Sequence, residues 1–282
     1  MRKPGKSTNG GEAVSPDTFA AYFAEQLAAS RVSSKVDEAQ DLMFDAWDCE
    51  DPEKRVMLAR AALKISADCA DGYVLLAQET ADTAEEAIDL FGQGVAAGER
   101  ALGAAAFKDD AGMFWGLLET RPYMRARQGL ALALWDAGRA DEAVKHGQEM
   151  LRLNPNDNQG IRYLVVGWLQ LLSRDDEVGV LLNHYKGDIS AEWAWVTALA
   201  AFRKGGDRAV ARKALLHAIK VNQHVASYLL KQKRLPRSFP HYIQMGGKDE
   251  AASYVRHAGA AWSKPANALK WLADRLDQPR AG

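Results

Sequence analysis

The sequence predicts an all-α protein, a tetratricopeptide-type α-solenoid of antiparallel helix pairs with a C-terminal helical cap. Three observations lead to this fold class. Alternating runs of Val, Ile and Thr, which indicate strands, are nearly absent. Apolar residues recur at helical spacing between short polar breaks such as "AGRAD" and "NPNDNQ". Related segments recur 68 positions apart, which is twice the 34-residue tetratricopeptide period.

Composition predicts a soluble, cytoplasmic protein. The chain has 282 residues, 48% of them hydrophobic and 26% charged, which is typical of globular proteins. Cys49 and Cys69 form no CxxC motif, which argues against a disulfide framework and suits a reducing cytosol. The most apolar run, residues 161–172, is too short to span a bilayer, so we expect no membrane association. Residues 1–15 are polar and lack the apolar core of a signal peptide, which predicts a disordered tail.

Residues 16–119 are predicted to form an N-terminal helical region with divergent repeats. Two helix starts place Pro in the first turn behind a capping residue: Ser15 before Pro16, and Asp51 before Pro52. The glycines of "GQGVAAG" follow a helix and not a strand, so we expect them to permit close helix packing and not to bind a dinucleotide.

Residues 120–224 are predicted to hold the regular tetratricopeptide-type repeats. Gly138 and Gly206 are 68 positions apart, and so are the small residues Ala143 and Ala211. The middle unit places Ser173 at the glycine position, one residue late. A single helix pair cannot bury its apolar face alone, so the pairs are expected to stack.

Residues 225–279 are predicted to form a basic linker and the C-terminal cap. Four cations cluster around two prolines in the linker: Lys231, Lys233, Arg234 and Arg237. Four large apolar side chains of the two closing helices are expected to cover the open end of the solenoid: Trp262, Leu269, Trp271 and Leu272.

The stretch "FWGLLETRPYMRAR", residues 114–127, differs from the surrounding alanine-leucine helices. Pro122 predicts a helix start there, with Thr120 as its N-cap. Together with "LNPNDNQGIRYL" (residues 153–164), this stretch resembles the tetratricopeptide-type core of the suppressor-of-tumorigenicity-7 family and its bacterial relatives. The resemblance extends over roughly residues 40–235. It implies that fold and a scaffold-like function, and it brings no catalytic residues.

The arginines of this stretch admit two interpretations. Arg121 and Arg125 lie four positions apart, and Arg127 and Arg162 occupy matching positions in consecutive units. They either pair with carboxylates of the acidic N-terminal half or grip a carboxylate or phosphate of a partner. Residues 1–119 hold 11 Lys+Arg against 22 Asp+Glu, whereas the remainder holds 25 against 15.

We therefore expect a non-enzymatic scaffold that binds a protein or peptide on the concave face formed by the first helix of each unit. No nucleophile with a base, no phosphate-binding loop and no metal-ligand spacing occurs, so we expect no catalytic residues, cofactor or metal. The alternative is a nucleic-acid-associated protein that uses the basic C-terminal half. The oligomeric state stays open. The predicted partner-binding residues are Arg121, Arg125, Gln128, Trp135, Tyr163, Gln170, Trp193, Arg203 and Lys204.

Overall fold

The computed structural model describes residues 34–240 and 242–277, and it confirms the predicted all-α class. Within these residues there are thirteen α-helices, one 3₁₀ helix and no strand. The helices are α1 (Lys35–Asp48), α2 (Pro52–Ile65), α3 (Ala70–Thr80), α4 (Ala84–Asp109), α5 (Arg121–Asp136), α6 (Ala140–Leu153), α7 (Ile161–Leu171), α8 (Asp175–His184), α9 (Ala191–Gly205), α10 (Ala209–Val221), α11 (His224–Leu229), α12 (Lys248–Ala258) and α13 (Ala268–Asp277); the 3₁₀ helix is Gly259–Ser263.

Capping explains where several helices begin. Asp51 accepts hydrogen bonds from the backbone amides of Glu53 and Lys54 ahead of α2, as predicted. Thr120 is not the cap predicted for α5. Its hydroxyl donates to the carbonyl oxygens of Phe114 and Leu117, so it holds the preceding loop together. The predicted cap at residues 15 and 16 lies outside the described residues.

The helices pack in chain order. Each helix from α1 to α11 contacts the next one, and α3 also contacts α5, as α7 contacts α9. A small core formed by α1, α2 and the start of α3 includes Met43 and Leu75. A larger core extends from Val74 to Leu272, and Trp47 and Leu90 pack against both.

Two glycines allow α4 to lie close to its neighbours. A Cβ atom on Gly94 would lie 3.1 Å from the Cβ of Ala126, and one on Gly98 would lie 2.8 Å from the Cβ of Tyr123. The predicted packing role of the glycines is therefore confirmed at these two positions. Gly92 has no neighbour within 4 Å at the same point.

The turns after α5 and α7 have the same geometry. Gly138 has a φ of 77°, and Ser173, at the corresponding position, has a φ of 58°. The amide of Gly138 donates to the carbonyl oxygen of Trp135, and that of Ser173 donates to Gln170. Left-handed backbone is rare for serine. The chain nevertheless forms the same turn at Ser173, where the glycine is missing.

The C-terminal segment folds back over the molecule. α12 packs against α7 and α9 as well as against α11, and the 3₁₀ helix also contacts α7. The ring of Trp262 lies 5.7 Å from that of Trp195 and 6.4 Å from that of Trp271. The predicted cap residues are thus part of the main core, in contact with helices more than one unit back along the chain.

Candidate functional site

Arg125 spans two helices through a buried ion pair. From α5, its Nε donates to Oδ1 of Asp71 on α3 at 2.8 Å, and its second guanidinium nitrogen donates to Oδ2. The Asp71 side chain has no exposed surface, and the Arg125 side chain is 32% exposed. Gln40 of α1 donates to the same carboxylate at 2.8 Å. Arg125 therefore pairs with a carboxylate, as one of the two interpretations expected, and that carboxylate joins α1, α3 and α5.

The exposed part of Arg125 opens onto a groove of about 600 Å³, which we call the N-terminal groove. It lies between α1, α3, α4 and α5, and Gln128 of α5 also lines it. The walls are mainly apolar, and polar groups stand at the edge. The other lining side chains that matter below are Trp47, Val74, Phe91, Leu132 and Asp136.

The other arginines of the 114–127 stretch also have partners within the chain. Arg121 donates to the carbonyl oxygen of Trp115 at 3.0 Å and lies over its ring. Arg127 donates to the hydroxyl of Tyr123 and lies 3.9 Å from Glu99. These contacts hold the loop before α5 and its first turns in place.

Arg162 holds a second polar cluster at the start of α7. Its Nη1 lies 2.8 Å from Oδ2 of Asp157, and its Nε lies 2.8 Å from Oδ2 of Asp188. The hydroxyl of Tyr163 donates to the same Asp188 oxygen at 2.8 Å. Burial alone would raise the pKa of Asp188, but hydrogen bonds from Ser190, Arg162 and Tyr163 outweigh it and hold the pKa below its ordinary value.

Several predicted partner-binding residues are buried, which corrects their placement on an open concave face. Gln170 is fully buried and donates to the carbonyl oxygen of Val196 at 3.1 Å. Trp193 is 4% exposed. Trp135 stacks on Trp168 with ring centroids 5.0 Å apart.

Arg203 binds the chain's own C-terminal segment. It donates to the carbonyl oxygens of Gln170 and Ala261, each at 2.9 Å, and its side chain is only 6% exposed. Lys204 is exposed. The C-terminal segment therefore covers part of the face that the repeat register assigned to a partner.

The predicted residues thus fall into separate places. Arg125 and Gln128 meet at the N-terminal groove, and Gln128 and Tyr163 also border a second cavity beneath α12. Sequence reasoning missed Glu192, a glutamate in the first turn of α9 that lines this cavity. Acidic residues are common in first turns, so the sequence offered no sign that a carboxyl oxygen of this one is buried.

The basic linker residues Lys231, Lys233, Arg234 and Arg237 are exposed, and Tyr242 is 90% exposed. Nucleic-acid association through them stays a prediction. Across residues 34–240 and 242–277, no group of three His, Cys, Asp or Glu side chains is arranged to hold a metal ion. None of the helices in this part of the chain is long and apolar enough to cross a membrane.

Comparison with known proteins gives one consistent family. The family model described as "ST7 protein" matches residues 27–157. The rat "Suppressor of tumorigenicity 7 protein-like" is 30% identical over 260 residues, which cover 82% of this chain and 45% of the relative. "Protein ST7 homolog" of Caenorhabditis elegans is 27% identical over 282 residues, which cover 83% of this chain and 50% of the relative. The chain spans about half the length of these curated relatives or less. By these matches the chain is similar to ST7 family proteins over most of its length.

Proposed function

We propose that this chain is a non-enzymatic interaction module of tetratricopeptide-type helix pairs that binds a protein segment in the N-terminal groove. The observation that carries the proposal is the groove itself, an open volume of about 600 Å³ with apolar walls and Arg125, Gln128 and Asp136 at its edge. Apolar grooves with a few placed polar groups are typical sites for amphipathic segments.

The repeated turn supports the tetratricopeptide-type arrangement. Gly138 and Ser173 share one backbone geometry, and the small or β-branched residues five positions later, Ala143 and Val178, are both fully buried. Consecutive helices from α1 to α12 pack on each other, which is the contact pattern expected of stacked helix pairs.

The apolar walls define the chemistry of the partner. Leu132 is 38% exposed, and both it and the half-buried Trp47 line the groove. We propose an amphipathic helix or extended segment that inserts apolar side chains and places a carboxylate near Arg125, whose guanidinium keeps part of its surface exposed.

The test is selection of a displayed peptide library against the purified chain, followed by fluorescence anisotropy with the enriched peptides. Leu132→Asp places a charge in the groove and should weaken binding by about tenfold or more. Val210→Asp is the matched control, because Val210 is 74% exposed on α10 and outside the groove. Reversing the charge of Arg125 is unsuitable because it would leave the buried Asp71 without its partner. Equal binding by the Leu132 variant, or no enriched peptide, would contradict the proposal.

A further inference from the structure

A second cavity of about 410 Å³ lies between the starts of α7 and α9, α12 and the segment before α12. Leu164, Ile243 and Met245 supply apolar wall, and Tyr163 and Tyr254 supply aromatic wall. Ile243 is 50% exposed and Met245 is 57% exposed, so this wall borders the opening to solvent. The cavity therefore combines an apolar body with access from outside.

Two of the residues that line this cavity each contain a buried oxygen without a hydrogen-bond partner. Among the residues that the structure describes, the Oε1 atom of Glu192 is buried without a partner, and the Oε1 atom of Gln159 is in the same situation. Gln159 uses its amide nitrogen to donate to Gln128 at 3.0 Å, which leaves its carbonyl oxygen as a free acceptor. A buried acceptor without a donor costs free energy, so both oxygens favour a ligand that donates hydrogen bonds.

The carboxylates around Glu192 give this region a negative electrostatic potential. Glu250 is occupied by donors: the backbone amide of Ala191 at 2.9 Å, the side-chain amide of Asn222 at 2.9 Å and the backbone amide of Gly246 at 2.7 Å. Asp188 accepts from Arg162. Burial, and then the negative charges of Asp188 and Glu250, raise the pKa of Glu192 to about 8.

The remaining titratable groups at the cavity do not neutralise it. Tyr254 is deeply buried, and burial raises its pKa far above the ordinary range, so the phenol stays neutral. Burial also raises the pKa of Tyr163. His257 is on the exposed side of α12, with Nδ1 2.9 Å from the carbonyl oxygen of Ser253. Arg162 is engaged by Asp157 and Asp188.

We propose that this cavity binds an organic cation, an alkylammonium whose N–H groups donate to Glu192 and Gln159 while its apolar stem lies against Leu164, Ile243 and Met245. The two free acceptors require donors, the surrounding carboxylates favour positive charge, and the walls favour an aliphatic chain. Such a group is available as a free amine or as the end of a lysine side chain. Gln128 borders both this cavity and the N-terminal groove, but the two proposals are tested at different residues, so either can fail without the other.

Binding is expected to release a proton. At pH 7 the Glu192 carboxyl is mostly protonated, because its pKa is raised to about 8. The ammonium pairs with the ionised carboxylate, so the carboxyl proton leaves to the buffer as the cation enters. The release approaches one proton for each cation bound.

Isothermal titration calorimetry of the full chain with n-butylammonium at pH 7 tests the proposal, in two buffers of different ionisation enthalpy. The binding enthalpies measured in the two buffers should differ by close to the difference between the two buffer ionisation enthalpies, which corresponds to one proton released for each cation bound. Glu192→Gln should weaken binding by about tenfold or more and abolish the buffer dependence. Glu53→Gln is the matched control, because Glu53 occupies the same first-turn position in α2 but is exposed. Its binding should equal that of the original chain.

A second variant and a second probe sharpen the result. Gln159→Met removes the other acceptor and leaves Glu192 intact, so it should weaken binding without removing proton release. N-acetyl-lysine amide should bind like butylammonium if a lysine side chain fits, whereas its Nε-acetylated form should not bind. Binding of butylammonium alone would indicate a free amine as the ligand. Absence of binding by both amines, or equal binding by the Glu192 variant, would overturn the proposal.

Discussion

The raised pKa of Glu192 makes the stability of the folded chain depend on pH. Its pKa is raised from 4.5 to about 8, first by burial and then by Asp188 and Glu250. The folded chain therefore binds the proton more tightly than the unfolded chain does. The stabilising contribution of the protonated Glu192 carboxyl is fully present below pH 4.5 and is lost as pH rises towards 8.

The variant Glu192→Gln is expected to remove this contribution. Its free energy of unfolding should increase relative to the original chain as pH rises, by at most about 1.4 kcal/mol for each pH unit in that window. Urea denaturation at pH 5, 6, 7 and 8 measures the difference, with Glu53→Gln as a control that should parallel the original chain. A difference that does not change with pH would mean that Glu192 is ionised throughout.

The partner of Arg125 shows what a sequence can and cannot predict about one side chain. Pairing with a carboxylate of the acidic half was an expected alternative, and it is what the structure contains. The particular carboxylate, Asp71, lies 54 positions away, and local spacing carries no information about such a contact. The same applies to Glu192, whose sequence context is that of an ordinary solvated first-turn residue.

Among the elements, α4 depends most directly on its glycines. Gly98→Ala would place a Cβ 2.8 Å from the Cβ of Tyr123 and 3.1 Å from its Cα, so α4 and α5 would have to separate. We expect a loss of about 1–3 kcal/mol in the free energy of unfolding.

Gly92→Ala in the same helix is the matched substitution, because nothing lies within 4 Å of its Cβ position. It should stabilise the protein by about 0.5–1 kcal/mol, since alanine favours helix over glycine. Thermal and urea denaturation of both variants give the comparison. Equal effects of the two substitutions would show that α4 and α5 adjust freely to each other.

Helices were predictable because their determinants are local. The Asp51 cap, the apolar periodicity and the turn glycines Gly138 and Gly206 all act within a few residues. Thr120 was misassigned because the loop from Asp110 to Thr120 has its own structure. The amides of Gly112 and Phe114 donate to the carbonyl oxygen of Leu153, across the molecule, and the Thr120 hydroxyl closes that loop instead of capping α5.

At the scale of the whole molecule, the main feature that the sequence did not reveal is the return of the C-terminal segment over α7 and α9. The repeat pattern predicts that their inward faces bind a partner. It does not predict that a later segment of the same chain covers part of them. Arg203 was misplaced for this reason, whereas Gln170 is buried against α9 and Trp193 packs against Tyr163 and Tyr185. Contacts across tens of residues depend on overall shape complementarity, which single-sequence patterns do not encode.

Trp262 is central to that return, because it is fully buried, donates to the Tyr254 hydroxyl at 2.8 Å and contacts the ring of Trp195. Trp262→Ala should lower the free energy of unfolding by about 3–5 kcal/mol. Leu216→Ala, at a 59% exposed position, is a control expected to stay within about 0.5 kcal/mol.

Native-state hydrogen exchange should show which helices lose stability in the Trp262→Ala variant. Amides of α9 and α12 should lose protection, whereas those of α1 and α2, which have their own small core, should keep it. A loss spread evenly over all helices would instead show that the two cores open only together.

The stacked pair of Trp135 and Trp168 gives the molecule a built-in optical probe. The two indoles lie nearly parallel, with an interplanar angle of 14°, and they belong to α5 and α7, which α6 separates in the chain. Indoles held this close couple their electronic transitions and should produce a paired band in the near-ultraviolet circular dichroism spectrum. That band depends on the contact between α5 and α7. This contact can therefore be monitored by spectroscopy, without a label, during heating or ligand addition.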